Sequence, residues 1–136
     1  AKKYAYKSVR NIINNIKFNH RTKFLQNQNI GGLVGLGSLI YGFSALYSIN
    51  KKKIYLDTSI SILKKIDIEQ INKDKSLDIL DGVSGLILSL IYLNKFVKDP
   101  IIKKVLEHCG DYFALALYSL YDLIPKKNIT NFLKFV

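Results

Sequence analysis

The apolar residues of the first segment recur at one helical interval. Ala5, Val9, Ile12, Ile13 and Ile16 occupy i, i+4, i+7, i+8 and i+11, which predicts an amphipathic helix with its lysines and asparagines turned away. The stretch from Asn19 to Asn29 is polar, rich in Asn and Gln, and reads as a loop. A run of twenty uncharged residues follows, Ile30 to Ile49. Its glycines, Gly31, Gly32, Gly35 and Gly37, suit a turn that needs positive φ or close backbone approach. Beyond them Leu36, Leu39, Ile40, Phe43 and Tyr47 form a bulky stripe, and Gly35, Ser38, Gly42 and Ala45 a stripe of small residues. A helix with two such faces is expected to be buried on several sides.

After a polar break at Asn50 to Lys53, the segment Ile54 to Ile66 carries Leu56, Ile60, Leu63 and Ile66 at helical spacing. Ser59-Ile60-Ser61-Ile62 alternates as a strand does, but the longer stripe favours helix. Asp67 to Ser76 is charged and reads as a loop. Asp81-Gly82-Val83-Ser84-Gly85-Leu86 then opens a second uncharged run, Ile87 to Asn94. Asp99-Pro100 is a helix start, an acid at the cap followed by proline at the first helical position. Ile101, Val105, Cys109, Tyr112, Ala116 and Leu120 continue as an apolar stripe, and Pro125 marks an end. Asn128 to Val136 carries no clear pattern.

The two uncharged runs are related. Gly32-Leu33-Val34-Gly35-Leu36 superposes on Gly82-Val83-Ser84-Gly85-Leu86 with an offset of fifty residues. In both, a glycine pair spaced by three opens a many-sided helix, and a polar turn leads to an amphipathic one. Such a repeat is the unit of a helical solenoid or a closed double ring, in which no unit buries its faces alone. The expected fold is therefore all-α, a helical-repeat piece of an α/α-toroid. It holds an outer helix (1–19), a second helix pair (30–66) and a third (81–124) in one partial domain.

Composition narrows this reading. Hydrophobic residues make up 49% of the chain, enough for a core and too many for a disordered segment. The absence of methionine suggests a processed or excised piece, and Ala1 to Phe24 lacks the continuous apolar core of a secretory signal. One cysteine, Cys109, excludes an internal disulfide and suits a reducing cytoplasm. The net charge of +11 is uneven: Lys2, Lys3, Lys7, Arg10, Lys17, Arg21 and Lys23 precede Ile30 with no acid among them. Such an arm could meet nucleic acid, anionic lipid or an acidic peptide, or be a solvated helix face. The absence of aromatic–basic interleaving favours the solvated face and argues against nucleic acid.

Candidate chemistry is sparse, and no catalytic residue is assigned. His108 and Cys109 are zinc-ligand types, but adjacent helical residues point about 100° apart. Cys109 falls on the apolar stripe with Val105 and Tyr112, and His108 on the polar side with Lys104 and Asp111. The other histidine, His20, lies in a basic loop. No metal site is expected in these residues. Asp78 and Asp81 precede a helix, where acids cap backbone N–H groups more often than they act as an acid–base pair. The glycines lack the lysine of a phosphate-binding loop.

The residues do resemble a known family. Gly31-Gly32-Leu33-Val34-Gly35-Leu36-Gly37-Ser38-Leu39-Ile40-Tyr41 resembles the G-G-x-x-G-L-G-S-x-x-Y segment in the cyclase domain of class II lanthipeptide synthetases. Asp78-Ile79-Leu80-Asp81-Gly82-Val83-Ser84-Gly85 is similar to their D-I-I-S-G-S-A-G segment, with Ser84 where alanine is usual. His108-Cys109-Gly110-Asp111-Tyr112 resembles the end of an outer helix, and Tyr4 to Ile16 that of the preceding repeat. The resemblance implies a bacterial, cytoplasmic cyclase, with membrane association through a transport complex as an alternative, that adds cysteine thiols to dehydrated Ser or Thr in a precursor peptide. It also implies a zinc ion held by two cysteines and a histidine, in later repeats than these. The motif residues Gly32, Gly35, Gly37, Asp78, Gly82 and Gly85 then have a structural role. The resemblance implies the precursor peptide as partner; exposed apolar edges lead us to expect self-association, and the modest hydrophobicity of the uncharged runs no stable membrane insertion. The uncharged Ile30 to Ile49 run keeps a one- or two-span membrane protein open as a rival, and a non-catalytic peptide-binding scaffold is the other.

Overall fold

The computed structural model describes residues 2–18 and 28–123, with side chains at 7–16 and 28–120. The loop residues 19–27 with His20, the side chain of Ala5, and Pro125 and the residues after it lie outside that description. Among the described residues six helices follow in order: α1 (Lys2–Phe18), α2 (Leu36–Asn50), α3 (Lys53–Leu63), α4 (Ile68–Asn72), α5 (Val83–Leu93) and α6 (Pro100–Leu123). The described residues contain no named strand, and the fold is all-α.

Each helix follows from its apolar spacing. On α3 the buried set is Tyr55, Leu56, Thr58, Ser59, Ile62 and Leu63, at i, i+1, i+3, i+4, i+7 and i+8, so the alternation at Ser59–Ile62 yields to the 3.6-residue period. Ser59 then hydrogen-bonds back across the helix pair, its Oγ donating to the Ile40 carbonyl of α2 at 3.3 Å. Ser44 donates to the same carbonyl at 2.7 Å. Both buried hydroxyls are thus satisfied, which removes the main cost of placing serine in a core. On α1, Ile13 and Ile16 are buried with Val9 beside them, but Ile12 is 39% exposed. The expected stripe was too broad there, because α1 packs mainly against α3.

The uncharged helices α2 and α5 pack on each other, α3 covers α2, and α6 covers α5. Leu36, Ile40 and Phe43 of α2 meet Val83, Leu86, Leu90 and Leu93 of α5, Ile62 and Leu63 of α3, and Ile102 and Cys109 of α6 in one core. Helix α2 is not enclosed on every side as its small stripe suggests: a Cβ placed on Gly42 meets nothing within 4 Å, and Tyr41 is 49% exposed. The stripe of α6 also runs out of cover at Leu120, and Leu115, Leu117 and Tyr118 beside it are exposed.

Two connections differ from expectation. Asp67 to Ser76 is not simply a loop. Asp67 and Gln70 form a capping box that starts α4, with the Asp67 carboxylate accepting from Glu69 N–H at 3.1 Å and Gln70 Oε1 from Asp67 N–H at 2.9 Å. Ile71, 1% exposed, anchors that short helix. The repeat also registers differently in space. Gly35 and Gly82 are the residues that cap α2 and α5, whereas Gly85 lies within α5. The helix starts are 47 residues apart (Leu36 to Val83), not the fifty of the motif superposition.

Candidate functional site: the junction of two glycine turns

The turn before α2 folds back on its own helix. The carbonyls of Asn29, Ile30 and Gly31 accept from the N–H groups of Leu36, Gly37 and Ser38 at 2.8, 3.2 and 3.0 Å. Three of the four donors that a helix start leaves unpaired are thereby used, and no side-chain cap is present. An N-terminus with spent donors offers an anion little. The fold-back depends on Gly35, whose φ is 124°.

The same turn then docks on the one before α5. Gly32, Leu33 and Val34 donate to the carbonyls of Ile79 and Leu80, at 3.0 Å for Gly32, 3.0 Å for Leu33 and 2.9 Å for Val34. Gly32 and Gly85 face each other without side chains: a Cβ on Gly85 would sit 2.2 Å from Gly32 N and 2.1 Å from the Ile79 oxygen. On Gly37 it would come within 2.6 Å of the Gly31 oxygen, and on Gly82 within 2.6 Å of Asp78 N. Gly32, Gly35, Gly37, Gly82 and Gly85 thus gather at one backbone junction. Its rim is apolar and open: Leu33, Val34, Ile79 and Leu80 are 67%, 60%, 54% and 53% exposed.

The acids behave differently from expectation. Asp78 does not cap α5; its Oδ1 accepts from Asp81 N–H at 3.0 Å, inside the turn. That bond, before its other contacts, holds the Asp78 carboxyl below the usual 3.8. The first N–H of α5, on Val83, is instead taken by Asp74 Oδ2 at 2.8 Å. Asp74 also accepts from Ser76 and Leu77 N–H, at 3.1 and 3.2 Å. Its backbone carbonyl accepts the Tyr112 hydroxyl, which ties the turn to α6. Asp74 lies nine residues before the helix it caps, so no local pattern signals it, although Asp74-Lys75-Ser76 is an Asx-turn sequence. We expect Asp74→Ala to cost about 2 kcal/mol, as three N–H groups lose their acceptor, with Asp74→Asn intermediate. Urea unfolding at constant m-value measures this, and an unchanged midpoint would remove Asp74 from the junction.

His108 and Cys109 do not converge. His108 Nε2 pairs with Asn72 Oδ1 at 3.0 Å, while Cys109 is wholly buried. Burial, aided by the negative Asp74, pushes the thiol up to about 12. At neutral pH the sulfur is therefore a protonated core atom, neither nucleophile nor ligand. Three pKa units correspond to about a thousandfold less thiolate, so alkylation at pH 8 should be slower than in urea by about that factor, as mass spectrometry would show. The linkage has one sign. The raised folded value favours the native state below pH 9, and that contribution is lost as pH rises from 9 towards 12.

Among the described residues no group of three or more His, Cys, Asp or Glu side chains could hold a metal. No helix there is long and apolar enough to cross a membrane; the Ile30 to Ile49 run is a glycine turn followed by α2. Against these features stands one match. A family model described as lanthionine synthetase C-like protein matches residues 1–131. The chain belongs to the lanthionine synthetase C-like family. That family's fold is a helical toroid, and α2–α3 with α5–α6 are two adjacent helix pairs of this kind. No curated protein and no solved structure matches the chain. The zinc donor set implied by the resemblance, two cysteines and a histidine, does not fit these residues: the single cysteine is a buried thiol and His108 is held by Asn72.

Proposed function

We propose that this chain is a scaffold portion of a cyclase that forms thioether rings in a precursor peptide by adding cysteine thiols to dehydrated Ser or Thr. In this reading the zinc donors belong to other repeats of a longer parent. What these residues supply is the alignment of two inner helices. The observation that carries it is the use of the motif glycines: each removes a side chain where backbone meets backbone. The open apolar faces of α5 and α6, with Leu88, Ile91, Leu115 and Tyr118 exposed, suit further helix pairs packed beside them.

Metal analysis of the dialysed chain, paired with a ring-formation assay on a dehydrated cysteine-containing peptide, tests both halves. The chain alone should hold no stoichiometric zinc and close no ring. The parent should close rings and lose that ability when its own two-cysteine, one-histidine set is replaced. Zinc bound stoichiometrically to the chain would overturn the scaffold reading, and an inactive parent would overturn the cyclase.

A further inference from the structure

The helices share a polarity of charge. Helices α2 and α5 start together at the glycine junction and also end together, with the Tyr47 and Phe96 rings 5.6 Å apart. That far end carries the turn Lys51-Lys52, the first residue of α3, Lys53, and the α5–α6 connection with Lys95 and Lys98, all exposed. These segments form one surface. Lys53 shares a depression of about 380 Å³ with Val97 and Asp99. Lys52 shares another, of about 290 Å³, with Arg10, Ile54 and Val9. Helix α1 adds exposed Lys7 and Arg10. The nearby acids are Asp57 and Asp99; Asp99 caps α6 through Ile101 N–H at 3.0 Å, and Glu107 is paired with Lys103. Apolar side chains protrude between the cations, with Ile49 80% and Ile54 41% exposed.

We propose that this end of the bundle docks on an anionic lipid bilayer. Cations from three segments spread over one end, with isoleucines standing between them, match a planar anionic surface with an apolar interior. An acidic peptide would instead call for cations gathered round one groove; the depressions hold them two at a time, Lys52 with Arg10 and Lys53 with Lys64, and Lys51, Lys95 and Lys98 line neither. Contact is peripheral, as no described helix can span.

Each lysine near such a surface contributes roughly fivefold in partitioning, over a range of about 8 Å at physiological salt. The test is sedimentation of the 136-residue chain with vesicles of phosphatidylcholine, with and without a quarter phosphatidylglycerol. The chain should pellet with the anionic vesicles alone. Substituting K51Q, K52Q and K53Q together should weaken binding on the order of a hundredfold. Losing charge at the opposite end, K73Q with K75Q, should weaken it far less than K51Q with K52Q does, and Ile49→Ser should weaken it at unchanged charge. Circular dichroism would confirm that each variant is folded. Equal losses for the two double variants, no binding to anionic vesicles, or preference for polyglutamate or transfer RNA over vesicles would each overturn the proposal.

Discussion

Gly85→Ala is expected to destabilise the chain by about 3 kcal/mol or more, against the usual preference of helices for alanine. Gly85 lies inside α5, where the exchange alone should gain about 1 kcal/mol. The added carbon, however, would lie 2.1 Å from the Ile79 oxygen and 2.8 Å from the Gly32 Cα. These are backbone atoms of the facing turn and cannot rotate aside, so the turns must separate and lose the bonds from Gly32, Leu33 and Val34. Overpacking at a rigid site costs about 1–3 kcal/mol, and the broken backbone bonds about 1 kcal/mol each. The clash term therefore wins. Gly110→Ala is the control, because it too is helical but has nothing within 4 Å; it should stabilise by about 0.5–1 kcal/mol. Thermal unfolding of the two variants should shift in opposite directions. A shared direction would mean that Gly85 is only a helix residue.

Gly35→Ala is the second large effect, with a different cause. At φ 124° and ψ −159° Gly35 occupies backbone space that L-residues with a side chain rarely enter. Its Cβ would also sit 2.0 Å from the Asn29 oxygen, the acceptor for Leu36 N–H. Strain of about 1–3 kcal/mol adds to the loss of the turn that satisfies the start of α2. We expect about 3 kcal/mol or more, and D-alanine at the position, introduced by semisynthesis, should recover part of it. A Gly35→Ala chain as stable as the parent sequence would contradict the fold-back.

Much of the architecture was legible because periodicity speaks for each helix separately. The stripes of α2 and α6, the uncharged run of α5 and the Asp99-Pro100 start needed no tertiary knowledge. What the sequence concealed was relational. Ile12 lies on the apolar arc of α1 but beyond the reach of α3. Asp78 sits near a helix start yet serves its own turn, while Asp74, nine residues away, reaches the helix. Asp67 and Gln70 did carry a readable capping-box signal, outweighed by the surrounding charge. The motif superposition found two related turns, but its fifty-residue register aligned Gly35 with Gly85. In space Gly35 corresponds to the other capping glycine, Gly82, and Gly85 instead touches Gly32. The glycines look like two copies of one device; they are two sides of one contact.

Amide hydrogen exchange at Gly32, Leu33 and Val34 tests that contact most directly. Leu33 and Val34 have exposed side chains in an irregular turn, and an ordinary turn of this kind exchanges at rates set by local opening. If the two glycine turns are locked together, these three N–H groups exchange only through opening of the α2–α5 pair, with protection comparable to that of Leu86 and Leu90 in α5. Exchange at free-loop rates while α5 stays protected would contradict the interlock.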